Sequence, residues 1–398
     1  KKDAICEACE DIIEGRFHDQ FIVDMIQGGA GTSINMNINE VVANRALEIM
    51  GHKKGEYKYC HPNNDVNLSQ STNDAYPTAF RITLYEKIYE LIDSMKILRK
   101  SFAAKAQEFD DVIKMGRTQL QDAVPMTLGQ EFNTYVVMID EDIQRLKEAQ
   151  QLVREMNLGA TAIGTGINSH PEYIKVVEQK LQEVTGRPFV TAKNLIEATQ
   201  DTGAYVQISG VFKRVAVKIS KMCNDLRLLS SGPRAGFNEI NLPAVQPGSS
   251  IMPGKVNPVI PEVVNQVAYQ VIGADLTICM ACEGGQLQLN VFEPVIAYNL
   301  FNSINMMKKA FETLANKCVY GITANKEHCE QMVKNSIGLV TALNPHIGYE
   351  NSTLVAKEAL SSGYSVYDIV LERKLLSQEH LDEIIKPENM IKPQMLSS

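Results

Sequence analysis

Between Phe80 and Phe109 the chain runs without a single Gly or Pro, and Leu84, Ile88, Leu91, Met95, Leu98, Phe102 and Ala106 recur at spacings of three and four. That period lines one face of an α-helix. It predicts a helix of about 30 residues, roughly 45 Å long at 1.5 Å per residue. A helix of that length can cover its apolar stripe only against others like it. The same period runs from Leu128 through Phe132, Tyr135, Ile139, Ile143, Leu146, Val153 and Met156 to Gly159. It returns from about Val206 to Leu229, after Pro261, and from Pro294 to Gly321. The expected fold is therefore mainly α, with an elongated central bundle of long helices flanked by two small, mostly helical domains. The stripes exceed what one small bundle can hide, so bundles are expected to pair between chains as a homo-oligomer.

The flanks read differently from the middle. Residues 1–73 are polar and Gly-interrupted and form a first domain. Residues 74–327 hold the bundle, and 328–398 carry short helical pieces such as Ser377–Ile385 in a small last domain. The formal charge is −8, from 39 Lys and Arg against 47 Asp and Glu. That field repels a polyanion, so no nucleic-acid partner is expected. No apolar run approaches the roughly 18 residues of a membrane span, and the opening KKDAICEACEDIIEG has charges where a signal peptide has an apolar segment. Cys6/Cys9 and Cys279/Cys282 form CxxC pairs, but each lies in a helical apolar stretch where i,i+3 spacing comes from packing. Reduced structural thiols, no metal ligands and a cytoplasmic location are expected.

Four segments break the apolar pattern. PGSSIMPGKVNP, 247–258, sets two serines, a lysine and an asparagine among three prolines and two glycines, a composition for a hinged, partly stiffened lid. QGGAGTSINMNINEV, 27–41, places Thr32 and Ser33 after three glycines. SQSTNDAYP, 69–77, carries Ser71, Thr72, Asn73 and Asp74 before Pro77, and GRTQLQDAVP, 116–125, lies between two long helices. Read alone, the first is an ordinary Gly/Pro connection and the other three serve as helix capping. The same free N–H groups and hydroxyls also suit a carboxylate, and Lys255 supplies the local positive charge a dianionic substrate needs. No dinucleotide or nucleoside-triphosphate motif is present, and none of the seven histidines falls in these clusters. Any acid–base chemistry there must use another group.

These segments resemble the aspartase/fumarase superfamily. GSSIMPGKVNP is similar to its signature loop, and GGAGTSINMN, SQSTNDAYPT, KMGRTQLQDAVPMTLGQE and NLGATAIGTGIN follow in the family's set of motifs over essentially the whole chain. LQDAVPMTLGQEF, SSGPRAGFNEINLP, NPVIPEVVNQVAYQVIG and EGGQLQLNVFEPV are most similar to the ammonia-eliminating branch. The resemblance implies reversible elimination of ammonia from L-aspartate to give fumarate through a doubly charged aci-carboxylate, whose stabilisation is the main catalytic demand. It makes Ser249 the general base, activated as the loop closes. It places Lys255, Asn257 and Ser250 on one carboxylate, Thr32, Ser71, Thr72 and Asn73 on the β-carboxylate and amino group, and Thr118 and Gln119 around the rest of the pocket.

It further implies a homotetramer with each active site shared by three subunits. No cofactor is required; a divalent cation such as Mg²⁺ would act only as a weakly sited activator. Fumarases carry His where this chain has Gln119, paired with a Glu that matches Glu262. Gln exchanges no proton, which favours an amine leaving group. Relatives begin several dozen residues earlier, with a first segment this N-terminal domain lacks. The alternatives are a class II fumarate hydratase, which would use malate, and a catalytically silent scaffold, which would need none of Ser249, Lys255 and Asn257.

Overall fold

The computed structural model describes residues 1–391 and is mainly α. Its helices are α1 (Lys2–Ile13), α2 (Thr32–Ile49), α3 (Thr72–Glu108), α4 (Leu128–Gln150), α5 (Pro171–Thr185), α6 (Leu195–Gln200), α7 (Gly203–Leu229), α8 (Val259–Glu283) and α9 (Glu293–Lys317). The C-terminal part adds α10 (Lys326–Asn335), α11 (Leu339–Ser362), α12 (Val366–Glu372) and α13 (Gln378–Ile384), with a last turn over Pro387–Met390. The expected bundle of long helices is thus present. α3 reaches 37 residues, beginning eight residues before the uninterrupted run because Pro77 is accepted inside it. α4 stops at Gln150, earlier than Gly159: a 3₁₀ turn and the short strand Glu155–Met156 follow, pairing in parallel with Val190–Thr191.

Two compact units divide the chain. The first comprises Lys1–Asp93, Asp142–Val217 and Val267–Lys308; the second comprises Ser94–Glu141, Lys218–Gln266 and Lys309–Ser398. In the first, Phe80 stacks on Tyr205 at 4.6 Å between ring centroids and meets Phe301 edge-on at 5.4 Å, while Leu84, Ile88, Leu91, Ile208, Phe212 and Ile296 are buried. In the second, Phe102, Phe109, Phe132 and Tyr135 form an aromatic cluster with centroids 5.3–6.0 Å apart. Edge-to-face packing at such distances adds to the energy of area burial.

The segment 113–127, read from sequence only as a connection between helices, is an antiparallel hairpin of β1 (Ile113–Thr118) and β2 (Gln121–Thr127). Thr118 pairs with Gln121, so Gln119 and Leu120 alone make the turn, at φ 53° and 62°. Two left-handed residues match the twist of a tight hairpin, but that turn ordinarily announces itself as Asn-Gly. The sequence here offers Gln-Leu, which is why periodicity did not reveal it.

One carboxyl in the first unit lies where burial outweighs its partner. Glu293 begins α9, and desolvation pushes it up to about 7, with Arg81 pulling the other way. Its folded pKa exceeds the ordinary 4.5, so its contribution to stability is fully present below about 4.5 and lost as pH rises through about 7. Glu293→Gln should therefore melt higher than the parent at pH 8 and alike at pH 4, by calorimetry at both values. In the second unit, Phe132→Ala should cost about 3–5 kcal/mol, measured by urea unfolding.

Candidate active site

In the first unit, the chain turns into α2 through Gly29 and Gly31, at φ 82° and 92°. A Cβ at Gly31 would lie 2.6 Å from the Tyr76 ring, so only glycine lets the start of α2 meet α3. Thr32 opens α2 and its hydroxyl donates to the Gly29 carbonyl at 2.7 Å. One turn on, the Asn35 amide donates to Thr72 Oγ1 at 3.1 Å and to Asn67 Oδ1 at 3.2 Å. Ser71 precedes α3 as its cap. Ser71 Oγ accepts from the Asn73 N–H at 3.2 Å, and Asp74 Oδ1 accepts from the Ser71 N–H at 2.9 Å. This reciprocal pair is a capping box. The capping and the substrate-binding readings of this cluster are therefore compatible, since a capped hydroxyl still has its own hydrogen to donate. Thr32, Ser71, Thr72 and Asn73 gather at the adjoining starts of α2 and α3 with their side chains at least partly exposed.

The second unit holds the remaining expected residues. Thr118 and Gln119 sit at the hairpin tip, and the base of the hairpin is clamped by buried charge. Glu239 is fully buried; it pairs with Lys114 at 2.8 Å and with Arg117 at 2.5 Å, and Lys114 also meets Glu131. The Arg117 guanidinium lies over the Phe237 ring at 4.1 Å. On the other strand, Ser336 Oγ donates to Asp122 at 2.7 Å.

The loop 247–258 folds back on itself. A Cβ at Gly248 would lie 1.5 Å from the Lys255 carbonyl oxygen, so the two backbone segments are in direct contact. Asn257 Nδ2 donates to the Gly248 carbonyl, which closes the loop's neck. Ser249 Oγ accepts from the Ile251 N–H at 3.2 Å and the Met252 N–H at 3.1 Å. Ser250 and Lys255 are exposed, as are Ile251, Met252 and Val256. Among the described residues, Lys255 makes no ion pair, and no hydrogen bond joins Thr118 or Gln119 to Ser249, Ser250, Lys255 or Asn257. Glu262 lies in the first turn of α8, just past the loop.

A family model described as lyase matches residues 1–273, and one described as fumarase C C-terminus matches 339–392. An aspartate ammonia-lyase of Helicobacter pylori is 70% identical over 392 residues, covering 98% of this chain and 84% of that protein. The aspartate ammonia-lyase of Escherichia coli K12 is 58% identical, covering 98% and 82%. Among solved structures, a fumarate lyase:delta crystallin from Brucella melitensis bound to cobalt is 54% identical with a TM-score of 0.96, covering 98% of this chain and 85% of that one. A class II fumarase from Schistosoma mansoni is 37% identical with a TM-score of 0.92, covering 98% and 84%. The chain belongs to the aspartase/fumarase family of lyases.

Sequence reading missed the groups that hold these donors in place. Asn35 and Asn67 link α2 to Thr72, Asn157 donates to the Asn73 carbonyl at 3.0 Å, and Glu239 anchors the hairpin through Arg117. The signal available was the density of Asn in 35–39 and the pair of cations Lys114 and Arg117 within a strand. Glu239→Ala would leave the partly buried Arg117 without its carboxylate and the buried Lys114 with Glu131 alone, and should destabilise the fold by about 3 kcal/mol, read from the thermal midpoint.

Proposed function

We propose that this chain catalyses the reversible deamination of L-aspartate to fumarate and ammonia, as a carbon–nitrogen lyase. The observation that carries the reading is the Ser249 turn, in a chain this similar to proteins bearing the name aspartate ammonia-lyase. Two backbone N–H groups already point at Ser249 Oγ, and hydrogen bonds to the charged form of a group favour that form. They support Ser249 as an alkoxide base. It takes the Cβ proton and becomes the neutral hydroxyl, while the C–H electrons pass into the β-carboxylate to make the aci-carboxylate dianion. Those electrons then return to form the C=C bond as the C–N bond breaks and the amine leaves with its bonding pair.

On this reading Lys255 and Ser250, both exposed, and the second amide hydrogen of Asn257 hold one carboxylate. Thr32, Ser71 and Thr72 supply neutral donors to the other, where charge develops. Asn73 meets the amino group, and Thr118 and Gln119 complete the pocket. The assembly we propose is a homotetramer in which three subunits build each site, with domains 1–73, 74–327 and 328–398 in each chain. Tyr269, Leu276 and Met280 support it: they are 59–65% exposed and, at successive spacings of seven and four, share one face of α8, apolar surface that a second copy would cover.

Among the described residues no three His, Cys, Asp or Glu side chains converge as a metal site. On this reading a divalent cation such as Mg²⁺ has an activating role. No helix among the described residues is long and apolar enough to cross a membrane. On the reading of the cysteines as reduced structural thiols, we place the enzyme in the cytoplasm.

Fumarate absorbance should rise with L-aspartate as substrate; a rise with malate alone would refute the proposal in favour of a hydratase. Ser249→Ala should keep its circular dichroism and assembly yet lose about 10²–10⁴-fold in turnover, and unchanged turnover would exclude it as the base. Lys255→Ala should weaken substrate binding by about 1.5–3 kcal/mol, the worth of a charge-assisted partner, seen as a raised KM.

A further inference from the structure

The block 157–168, NLGATAIGTGIN, has no role in the chemistry above, yet its backbone is among the most constrained in the chain. Gly159, Thr161, Gly164 and Gly166 all adopt positive φ, at 96°, 57°, 102° and 71°. Thr161 is β-branched, so its left-handed conformation is strained and must be held by its surroundings. What holds it is Asp74. This carboxylate is fully buried; its Oδ2 accepts from the Gly159 N–H at 3.1 Å and the Thr161 N–H at 2.8 Å, and its Oδ1 takes the Ser71 N–H. One side chain therefore ties the cap of α3 to the strained loop.

Two further bonds run between the same segments, and both end on Asn73. Pro77 has no N–H to give the carbonyl four residues back, so the Asn73 carbonyl lacks its helical partner. Asn157 Nδ2 supplies the missing donor at 3.0 Å. The Asn73 side chain in turn donates through Nδ2 to the Ala162 carbonyl at 2.8 Å. A carbonyl oxygen only accepts, so the Asn73 amide can sit in one orientation alone, with its NH₂ toward the loop and Oδ1 left as a free-facing acceptor. An acceptor at that point suits an amine, which brings donors.

We propose that Asp74 is a positioning residue for amine binding: by locking the 157–162 segment against the first turn of α3, it fixes which end of the Asn73 amide meets the substrate nitrogen. The proposal rests on the aspartate-deamination reading and deepens it. The device is built against stability. Burial raises the Asp74 carboxyl pKa despite the backbone N–H groups that pull it down, so its surroundings disfavour the ionised form that accepts these bonds. Departures from local stability of this kind cluster at functional sites.

The test is the amination direction, with fumarate saturating and ammonium chloride varied, on wild type, Asp74→Asn and Asn157→Ala. Asp74→Asn keeps the volume but must turn an NH₂ toward at least one of the N–H donors. The KM for ammonia should rise at least about tenfold in Asp74→Asn and about threefold in Asn157→Ala, the scale of losing an aligned hydrogen bond. A purely structural role would lower the amount of active enzyme and leave this KM unmoved. Hydrogen exchange should show faster exchange confined to 71–75 and 157–162 in Asp74→Asn. If Asp74→Asn does not assemble, Asn157→Ala decides alone. A wild type that forms no fumarate from L-aspartate removes the underlying reading; a wild type that does, with the KM for ammonia in the assembled variant within about twofold of it, overturns the role of Asp74 only.

Discussion

The apolar stripe of α3 is the constraint on which the remaining structure depends. A helix of 37 residues is stable in water only if that stripe is covered along its length. In the first unit Phe80 packs on Tyr205 of α7 and Phe301 of α9, and Leu84, Ile88 and Leu91 are buried; in the second, Leu98 is buried and Phe102 and Phe109 lie with Phe132 of α4. Each partner must match part of the stripe's length, so the chain is committed to several long helices and to connections that run between their ends. Those connections are where polar side chains can gather without disturbing the core.

The polar residues at those ends serve two purposes with the same atoms. Ser71 and Asp74 satisfy the first N–H groups of α3, and the hydroxyls left over face outward beside Thr72 and Asn73. Helix starts are suited to this double use, because their unpaired N–H groups favour both a cap and an anion. The hairpin tip is different. It is held in a left-handed turn without glycine, and the ion pairs of Lys114 and Arg117 with the buried Glu239 keep its base rigid. Rigidity below and strain at the tip are what a site needs when a side chain must be aimed.

Much of this was legible in sequence, and the parts that were not share a physical cause. Helical period marks a long stripe with many repeats, so α3, α4, α7, α8 and α9 could be read as helices, with two turns or more misplaced at the start of α3 and the end of α4. The start of α3 was read late because a Pro six residues in looks like a boundary, whereas Asn157 repairs the hydrogen bond it removes. The hairpin was invisible because its turn uses Gln119 and Leu120, and its rigidity comes from Glu239, distant in the chain. Likewise Asp74 reads locally as a capping residue. Its hold on Gly159 and Thr161 is a contact between segments, which no local pattern encodes.

The histidines bear on the proposal that a serine carries the proton transfer. His61 and His170 each accept from backbone N–H groups through Nδ1 at the start of a helical turn, His18 and His328 bond to backbone carbonyls, His52 stacks on Tyr59, and His346 packs edge-on to His380. All seven imidazoles therefore have a structural occupation, and none lies in the loop 247–258. A hydroxyl is a poor base in water because its alkoxide is unstabilised. At Ser249 the fold supplies what water does not, two oriented N–H groups at about 3 Å in a loop whose neck is already closed by Asn257. On the proposed reading, closure would have only to bring this preformed turn to the substrate and exclude solvent, which would strengthen the same two hydrogen bonds by lowering the local dielectric.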